Sequence, residues 1–195
     1  MPSSSIRSVA VFCGSRFGQD PAYASASAEL GTGLATAGLR LVYGGGGVGL
    51  MGVVADAALS AGGQVLGVIP EFLQRREVAH AGVGELIVTS NMHERKRLMF
   101  DAADAFVTMP GGLGTFDETF EITTWRQLAL HDKPVLICNV RGWAQPFLAT
   151  LDAAVSQGFA QPASLELFEV LPDVSAVLRR LGALKTPGPG QSDRV

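Results

Sequence analysis

From residue 6 to about residue 181 the chain alternates short apolar runs with longer amphipathic stretches, and no other feature of the sequence narrows the possible folds as far. The runs Ser8–Phe12, Arg40–Tyr43, Gln64–Ile69, Glu85–Thr89, Ala105–Met109 and Val135–Asn139 read as strands. The stretches Pro21–Ala37, Gly49–Ala61, Met92–Ala102, Thr115–His131 and Trp143–Gln157 read as helices, with Val174–Leu181 closing the fold. Asp20 before Pro21 marks a helix start, and Gly38, Gly62 and Gly158 fall where helices must turn out. Strand and helix in alternation predict an α/β fold: a Rossmann-like, doubly wound, mostly parallel sheet with helices on both faces. Ligands of such sheets sit at the carboxyl ends of the strands.

Composition fits one such domain over residues 1–184. Of 195 residues, 47% are hydrophobic and 17% charged, enough apolar material for a single core and too much for a disordered chain. The segment Lys185–Val195, with Pro187, Gly188, Pro189 and Gly190, reads as a disordered tail. Fifteen Lys and Arg against 18 Asp and Glu leave a net charge of -3, which offers no overall attraction for nucleic acid or an anionic membrane. Cys13 and Cys138 stand far apart inside apolar runs, as suits buried reduced thiols rather than a disulfide framework. The opening Met1-Pro2-Ser3-Ser4-Ser5 lacks the charged and apolar regions of an export signal, and no uninterrupted apolar stretch reaches about 18 residues. The expected location is the cytoplasm.

Glycine supplies the functional signal. There are 24 glycines, about 12% of the chain against roughly 7% in average proteins, and they cluster. The first cluster, Tyr43 to Gly52, follows a strand and opens a helix, where free N–H groups and the helix dipole attract a phosphate; Gly45 and Gly46 are its candidate contacts. It is no Walker A loop, since no Gly-Lys-Ser/Thr follows, and a tight strand-to-helix turn explains it equally well. The second cluster, Met109-Pro110-Gly111-Gly112-Leu113-Gly114-Thr115-Phe116-Asp117-Glu118, stands in the same context. Two such loops at neighbouring strand ends would converge on one crevice. Thr115 and Glu118 also have the spacing of a capping box, so Glu118 either caps the helix or serves a site.

Arg95, Lys96 and Arg97 follow Asn91 and Glu94, which look like a cap and its partner. They form either a solvated helix face or a guanidinium site at the edge that carries the glycine loops. Ser15 ends the first strand region and could line a nucleotide pocket. His80, His93 and His131 have no metal-ligand spacing with one another or with the cysteines. Phe120, Trp125, Leu128 and Trp143 read as core or subunit-interface residues.

Three segments together, Tyr43-Gly44-Gly45-Gly46 with Gly49-Leu50-Met51-Gly52, Met92-His93-x-Arg95-Lys96, and Pro110-Gly111-Gly112-x-Gly114-Thr115-x-x-Glu118, resemble the LONELY GUY (LOG) family. Its members are cytokinin riboside 5'-monophosphate phosphoribohydrolases, long mislabelled as lysine decarboxylases. The resemblance runs from about Ile6 to Leu181 and includes Val11-Phe12-Cys13-Gly14-Ser15 and His131-Asp132-Lys133-Pro134. It implies that Arg95 and Glu118 are catalytic. It also implies that Glu77, Lys96, Gly111, Gly112, Leu113, Gly114, Thr115, Phe116, Asp117 and Thr124 contact the nucleotide. The main departure is Arg75-Arg76 before Glu77, where plant members carry Pro-Arg, a difference that bears on base or prenyl preference. The resemblance further implies a homodimer, which would employ Phe120, Trp125 and Leu128.

The expected reaction is hydrolysis of the N-glycosidic bond of a cytokinin riboside 5'-monophosphate or of AMP, giving the free base and ribose 5-phosphate without cofactor or metal. A carboxylate such as Glu118 suits the oxocarbenium-like transition state, and a phosphate remote from the reacting carbon suits a glycine loop. Two rivals differ in class. A pyridoxal-phosphate decarboxylase needs a Schiff-base lysine, and the chain has only Lys96, Lys133 and Lys185. A carrier of a nucleotide or related phosphate ligand would use the same loops and has no need of Glu118.

Overall fold

The computed structural model describes residues 6–74, 80 and 82–185. Seven strands form one sheet: β1 (Ser8–Phe12), β2 (Arg40–Tyr43), β3 (Val65–Pro70), β4 (Glu85–Thr89), β5 (Ala105–Thr108), β6 (Val135–Cys138) and β7 (Glu169–Leu171). Their order is β4-β3-β2-β1-β5-β6-β7, and every pairing is parallel. Six helices connect and cover them: α1 (Ala22–Thr36), α2 (Gly49–Ser60), α3 (Met92–Asp101), α4 (Leu113–Gln127), α5 (Gln145–Ser156) and α6 (Val174–Lys185). Among the described residues, no helix is long and apolar enough to cross a membrane.

Side-chain alternation along the strands sorts the core into two layers, as a pleated strand buried on both faces requires. Val9, Val11 and Cys13 join Leu41, Tyr43, Leu136 and Cys138 in the layer under α1, α2 and α6. Ala10 and Phe12 join Val42, Phe106, Val135 and Ile137 in the layer under α3, α4 and α5. Leu30 and Leu34 of α1 are completely buried, and each side chain so covered contributes about 1.5–3 kcal/mol relative to exposure. Both cysteines lie in the first layer as free thiols, and burial pushes their ionisation up, Cys138 to about 12.

The expected doubly wound sheet is present and is wholly parallel across the described residues. The sequence reading omits β7, a three-residue edge strand whose residues are mostly exposed and so leave no apolar run. Four helix ends also differ by two residues or more. α4 begins at Leu113 instead of Thr115 and stops at Gln127 instead of His131, because Ala129 turns to a positive φ of 55°. α5 begins at Gln145 instead of Trp143, because residues 140–142 form a tight turn in which Arg141 and Gly142 both have positive φ. α6 runs on to Lys185 instead of ending at Leu181; residues 186–195 of the expected tail lie outside the described residues.

Strands β2 to β4 run outward on one side of β1, and β5 to β7 on the other. The direction of winding therefore reverses between β1 and β5. In open α/β sheets that switch point is where the loops part and leave a crevice.

Candidate active site

A cleft of about 560 Å³ opens at that switch point. The loop after β1 (Cys13 to Gly18) and the junction of β5 with α4 (Pro110 to Thr115) form its walls; Leu50 and Met51 of α2, Tyr23, Trp143, Arg95 and Glu118 complete it. The two loops are laced by their backbones. Gly14 N–H donates to Pro110 O at 3.0 Å, and Met109 N–H donates to Phe12 O at 2.8 Å. A Cβ on Gly14 would stand 3.2 Å from Gly111 Cα, so glycine permits this approach.

Arg95 and Glu118 meet in the floor of the cleft. Arg95 Nη1 is 3.0 Å from Glu118 Oε1, and both side chains are more than nine-tenths buried. Arg95 Nε donates to Val68 O of β3 at 3.1 Å, and Nη2 reaches Gly44 O at 3.5 Å. The guanidinium is thus anchored on the carboxyl ends of two strands while its remaining edge faces the carboxylate. A buried ion pair of this kind is costly to desolvate, and removing one partner strands the other charge at a cost of about 3–5 kcal/mol.

The capping-box alternative for Glu118 fails on geometry. The N-cap of α4 is Gly112, it has no side-chain cap, and Thr115 lies inside the first turn. Thr115 instead packs against the preceding glycine: a Cβ on Gly111 would stand 2.0 Å from Thr115 Oγ1. Two threonines follow Thr115 in register: Thr119 donates to Thr115 O at 2.7 Å and contacts Thr108 Oγ1 of β5 at 2.9 Å, and Thr123 donates to Thr119 O. This ladder ties α4 to β5 and sets the height of Glu118. Asn91 does cap α3, accepting from Glu94 N–H at 2.9 Å, while the Glu94 carboxylate reaches back to Ser90 N–H at 2.8 Å.

The glycines of the second loop divide in two. Gly111 is required by packing. Gly112 and Gly114 line the cleft, have no positive φ, and a Cβ on either would meet no heavy atom within 4 Å. Nothing in the fold demands glycine there. A backbone kept bare beside an uncapped helix N-terminus suits the close approach of an anion.

The glycines of the first cluster pack within the scaffold, while its Leu50 and Met51 reach the cleft. Gly45 and Gly46, read from sequence as candidate ligand contacts, are buried and do not line this cleft. Gly45 adopts φ +76° under Ile69 and Leu86. Gly44 leaves room for Arg95, since its Cβ would fall 2.2 Å from Nη2. Gly49, at φ +61°, presses against Ser15, and Met51 N–H is already taken by Gly14 O.

Of the other expected contacts, Ser15, Gly111, Gly112, Leu113, Gly114 and Thr115 line the cleft with Arg95 and Glu118. Phe116 is half-buried behind it and stacks on Trp143. Lys96, Asp117 and Thr124 do not line it. Lys96 pairs with Asp117 at 3.2 Å and Glu121 at 3.0 Å; burial lowers its pKa, but the hydrogen bonds and charges of these two carboxylates together outweigh that and raise it. Thr124 is exposed further along α4. Glu77, with Arg75 and Arg76, lies outside the described residues. Sequence reasoning missed Phe17, Tyr23 and Trp143 as cleft residues. Trp143 was legible only as an apolar side chain.

His80 and His131 are engaged elsewhere. His80 Nδ1 accepts from Gly82 N–H, which leaves Nε2–H to donate to Asp56 at 2.8 Å. His131 Nδ1 accepts from Lys133 N–H and Nε2–H donates to Ile122 O at 2.8 Å, with burial lowering the ring's pKa. Lys133 Nζ donates to Phe100 O at 2.7 Å above the Phe100 ring.

Fold and cleft define a class: a doubly wound α/β protein with a bare glycine loop at its topological switch point, an arrangement suited to small phosphorylated ligands. A family model described as possible lysine decarboxylase matches residues 51–181. The chain is 42% identical over 187 residues to the Arabidopsis thaliana cytokinin riboside 5'-monophosphate phosphoribohydrolase LOG5, covering 96% of this chain and 82% of that protein. It is 49% identical over 156 residues to the cytokinin riboside 5'-monophosphate phosphoribohydrolase LOG of Oryza sativa subsp. japonica, covering 80% of this chain and 64% of that one. In fold it is similar to the Moco carrier protein of Chlamydomonas reinhardtii, with a TM-score of 0.68 and 24% identity over 91% of this chain and 96% of that one. The chain belongs to the LONELY GUY (LOG) family.

Proposed function

We propose that this protein hydrolyses the N-glycosidic bond of cytokinin riboside 5'-monophosphates or AMP, releasing the free adenine-type base and ribose 5-phosphate. The observation that carries the reading is the buried Arg95–Glu118 pair, 3.0 Å apart, in the floor of a cleft walled by the bare glycines. The names of the relatives at 42–49% identity support the same reaction.

The chemistry follows from the placement. As the bond to the base breaks, positive charge develops on the ribose, and the Glu118 carboxylate stabilises it and orients the attacking water. Arg95, fixed by Val68 O and Gly44 O, holds that carboxylate in a single position. The 5'-phosphate binds to the N-terminus of α4, where Gly112 and Gly114 let it reach the backbone N–H groups. Its binding energy fixes the ribose over Glu118. Ser15 borders the same space from the opposite wall.

The lysines speak against the decarboxylase description of the family model. Lys96 is held by two carboxylates, Lys133 by a backbone carbonyl, and neither lines the cleft.

The protein acts as a homodimer in the cytoplasm. Asp117, Phe120, Glu121, Thr124 and Leu128 follow one face of α4, and Phe120 and Leu128 are 38% and 64% exposed. That face carries Lys96 through its pairs with Asp117 and Glu121, so a second copy seated there brings Lys96 and Thr124 into the assembly. Trp125 is partly used within the subunit, edge-on to Phe100 at 4.9 Å.

Incubation with AMP and with isopentenyladenosine monophosphate, followed by chromatography, tests the reaction. Free adenine or isopentenyladenine is the expected product. Equilibrium binding with no base released would instead identify a carrier.

A further inference from the structure

Trp143 lies beyond the tight turn that follows β6, far in sequence from the glycine loop, yet its indole Nε1–H donates to Gly111 O at 3.2 Å. Its ring lines the cleft and stacks on Phe116 of α4, with centroids 5.3 Å apart and planes 6° from parallel. Phe116 in turn stacks on Phe147 of α5. The turn before Trp143 is an unusual one. Arg141, which has a Cβ, takes φ +53° and Gly142 takes φ +77°. A non-glycine residue in that region is held there by its surroundings. Hydrogen bonds across the turn are visible: Asn139 Oδ1 accepts from Ala144 N–H at 2.8 Å, Gly142 N–H donates to Asn139 O at 3.1 Å and Trp143 N–H donates to Val140 O at 3.0 Å, while Arg141 Nε meets Asp20 Oδ2 at 3.2 Å on the surface. Asp20 also receives Ala22 N–H at the start of α1.

We propose that Trp143 is a positioning residue that sets the Gly111–Gly112 peptide for phosphate binding, and that the braced turn at Asn139–Ala144 exists to aim its indole. The peptide is planar, so fixing the Gly111 oxygen also fixes the direction of the Gly112 N–H at the N-cap of α4. Gly112 has no side chain to hold it and no side-chain cap, so this hydrogen bond orients the peptide at the start of α4 from outside and leaves the first-turn N–H groups open to a ligand. The role rests on the reading of the α4 N-terminus as the phosphate site.

Trp143→Phe keeps the stack on Phe116 and removes only the N–H donor. Losing one such hydrogen bond weakens phosphate binding about three- to tenfold. The expected result is a rise by the same factor in KM for AMP and in the dissociation constant of ribose 5-phosphate, with kcat within about twofold of wild type. Unchanged constants, or a loss confined to kcat, would overturn the proposal. Should the variant not fold, Trp125→Phe leaves Trp143 as the sole tryptophan. Ribose 5-phosphate must then shift its emission and ribose at the same concentration must not; no shift, or equal shifts, overturns the proposal. A wild-type protein that releases no base refutes the reaction and not this role, which the ribose 5-phosphate constant alone still tests.

Discussion

Gly114→Ala should raise the stability of this protein and lower its activity, whereas Gly111→Ala should lower both. At Gly114 a methyl meets no heavy atom within 4 Å, φ is not positive, and the residue lies in the first turn of α4. Replacing glycine by alanine in a helix gains up to about 1 kcal/mol, or roughly 2–4 °C in Tm for a domain of this size. At Gly111 the methyl would fall 2.0 Å from Thr115 Oγ1 and 2.9 Å from Gly14 N, both in the laced core of the cleft. Overpacking of that kind costs about 1–3 kcal/mol, a fall of roughly 2–12 °C. If Gly114 is bare because a phosphate must reach the backbone, the methyl removes at least one charge-assisted contact. A contact of that kind contributes about 1.5–3 kcal/mol, which is a loss of about ten- to a hundredfold in kcat/KM for AMP. Thermal melts and chromatographic assay of adenine release read both quantities on the same samples. A Gly114→Ala protein that melts higher and keeps wild-type kcat/KM would refute the reasoning, since the bare backbone would then serve no ligand.

The phosphate should be a required handle: kcat/KM for AMP should exceed that for adenosine by at least about a hundredfold, from the loss of several charge-assisted hydrogen bonds, and comparable values would contradict this. Stability should fall as pH is lowered from about 7 through the histidine range. Burial lowers the His131 pKa in the fold, so the unfolded chain takes up the proton first and stability is fully present above about 6.5. Thermal melts between pH 7.5 and 5 should show that fall, and His131→Gln should flatten it. Light scattering at micromolar concentration should give a dimer that Phe120→Glu with Leu128→Glu converts to monomers; a wild-type monomer would count against the interface.

The sheet was readable because its information is local. Strands such as Ala105–Thr108 and Val135–Cys138 are buried on both faces and appear as apolar runs, while β7 is short, half-solvated and silent. Arg95 and Glu118 stood out by residue type and family resemblance, but the ion pair between them and its supports did not. Whether Glu118 capped a helix or faced a site depended on where α4 begins, and a two-residue difference in that start decides it. The two glycine clusters looked alike in sequence because glycine marks both a ligand's approach and a side chain's. Only the neighbours tell them apart: Arg95 beside Gly44, open space beside Gly112 and Gly114. Trp143 reaches the glycine loop across a long stretch of chain, through a turn whose positive φ at Arg141 no propensity announces.

The central claim is that Glu118, held by Arg95, stabilises the charge that develops when the base departs. Glu118→Gln keeps the shape of the side chain and a polar contact to Arg95 while removing the negative charge. The decisive measurement is the turnover of that variant on AMP, followed as free adenine by chromatography, on protein shown by a thermal melt to be folded. Turnover should fall by a hundredfold or more, about 2.7 kcal/mol or greater of lost transition-state stabilisation, and Arg95→Ala should fall with it. A folded Glu118→Gln protein that releases adenine at near the wild-type rate would contradict the mechanism.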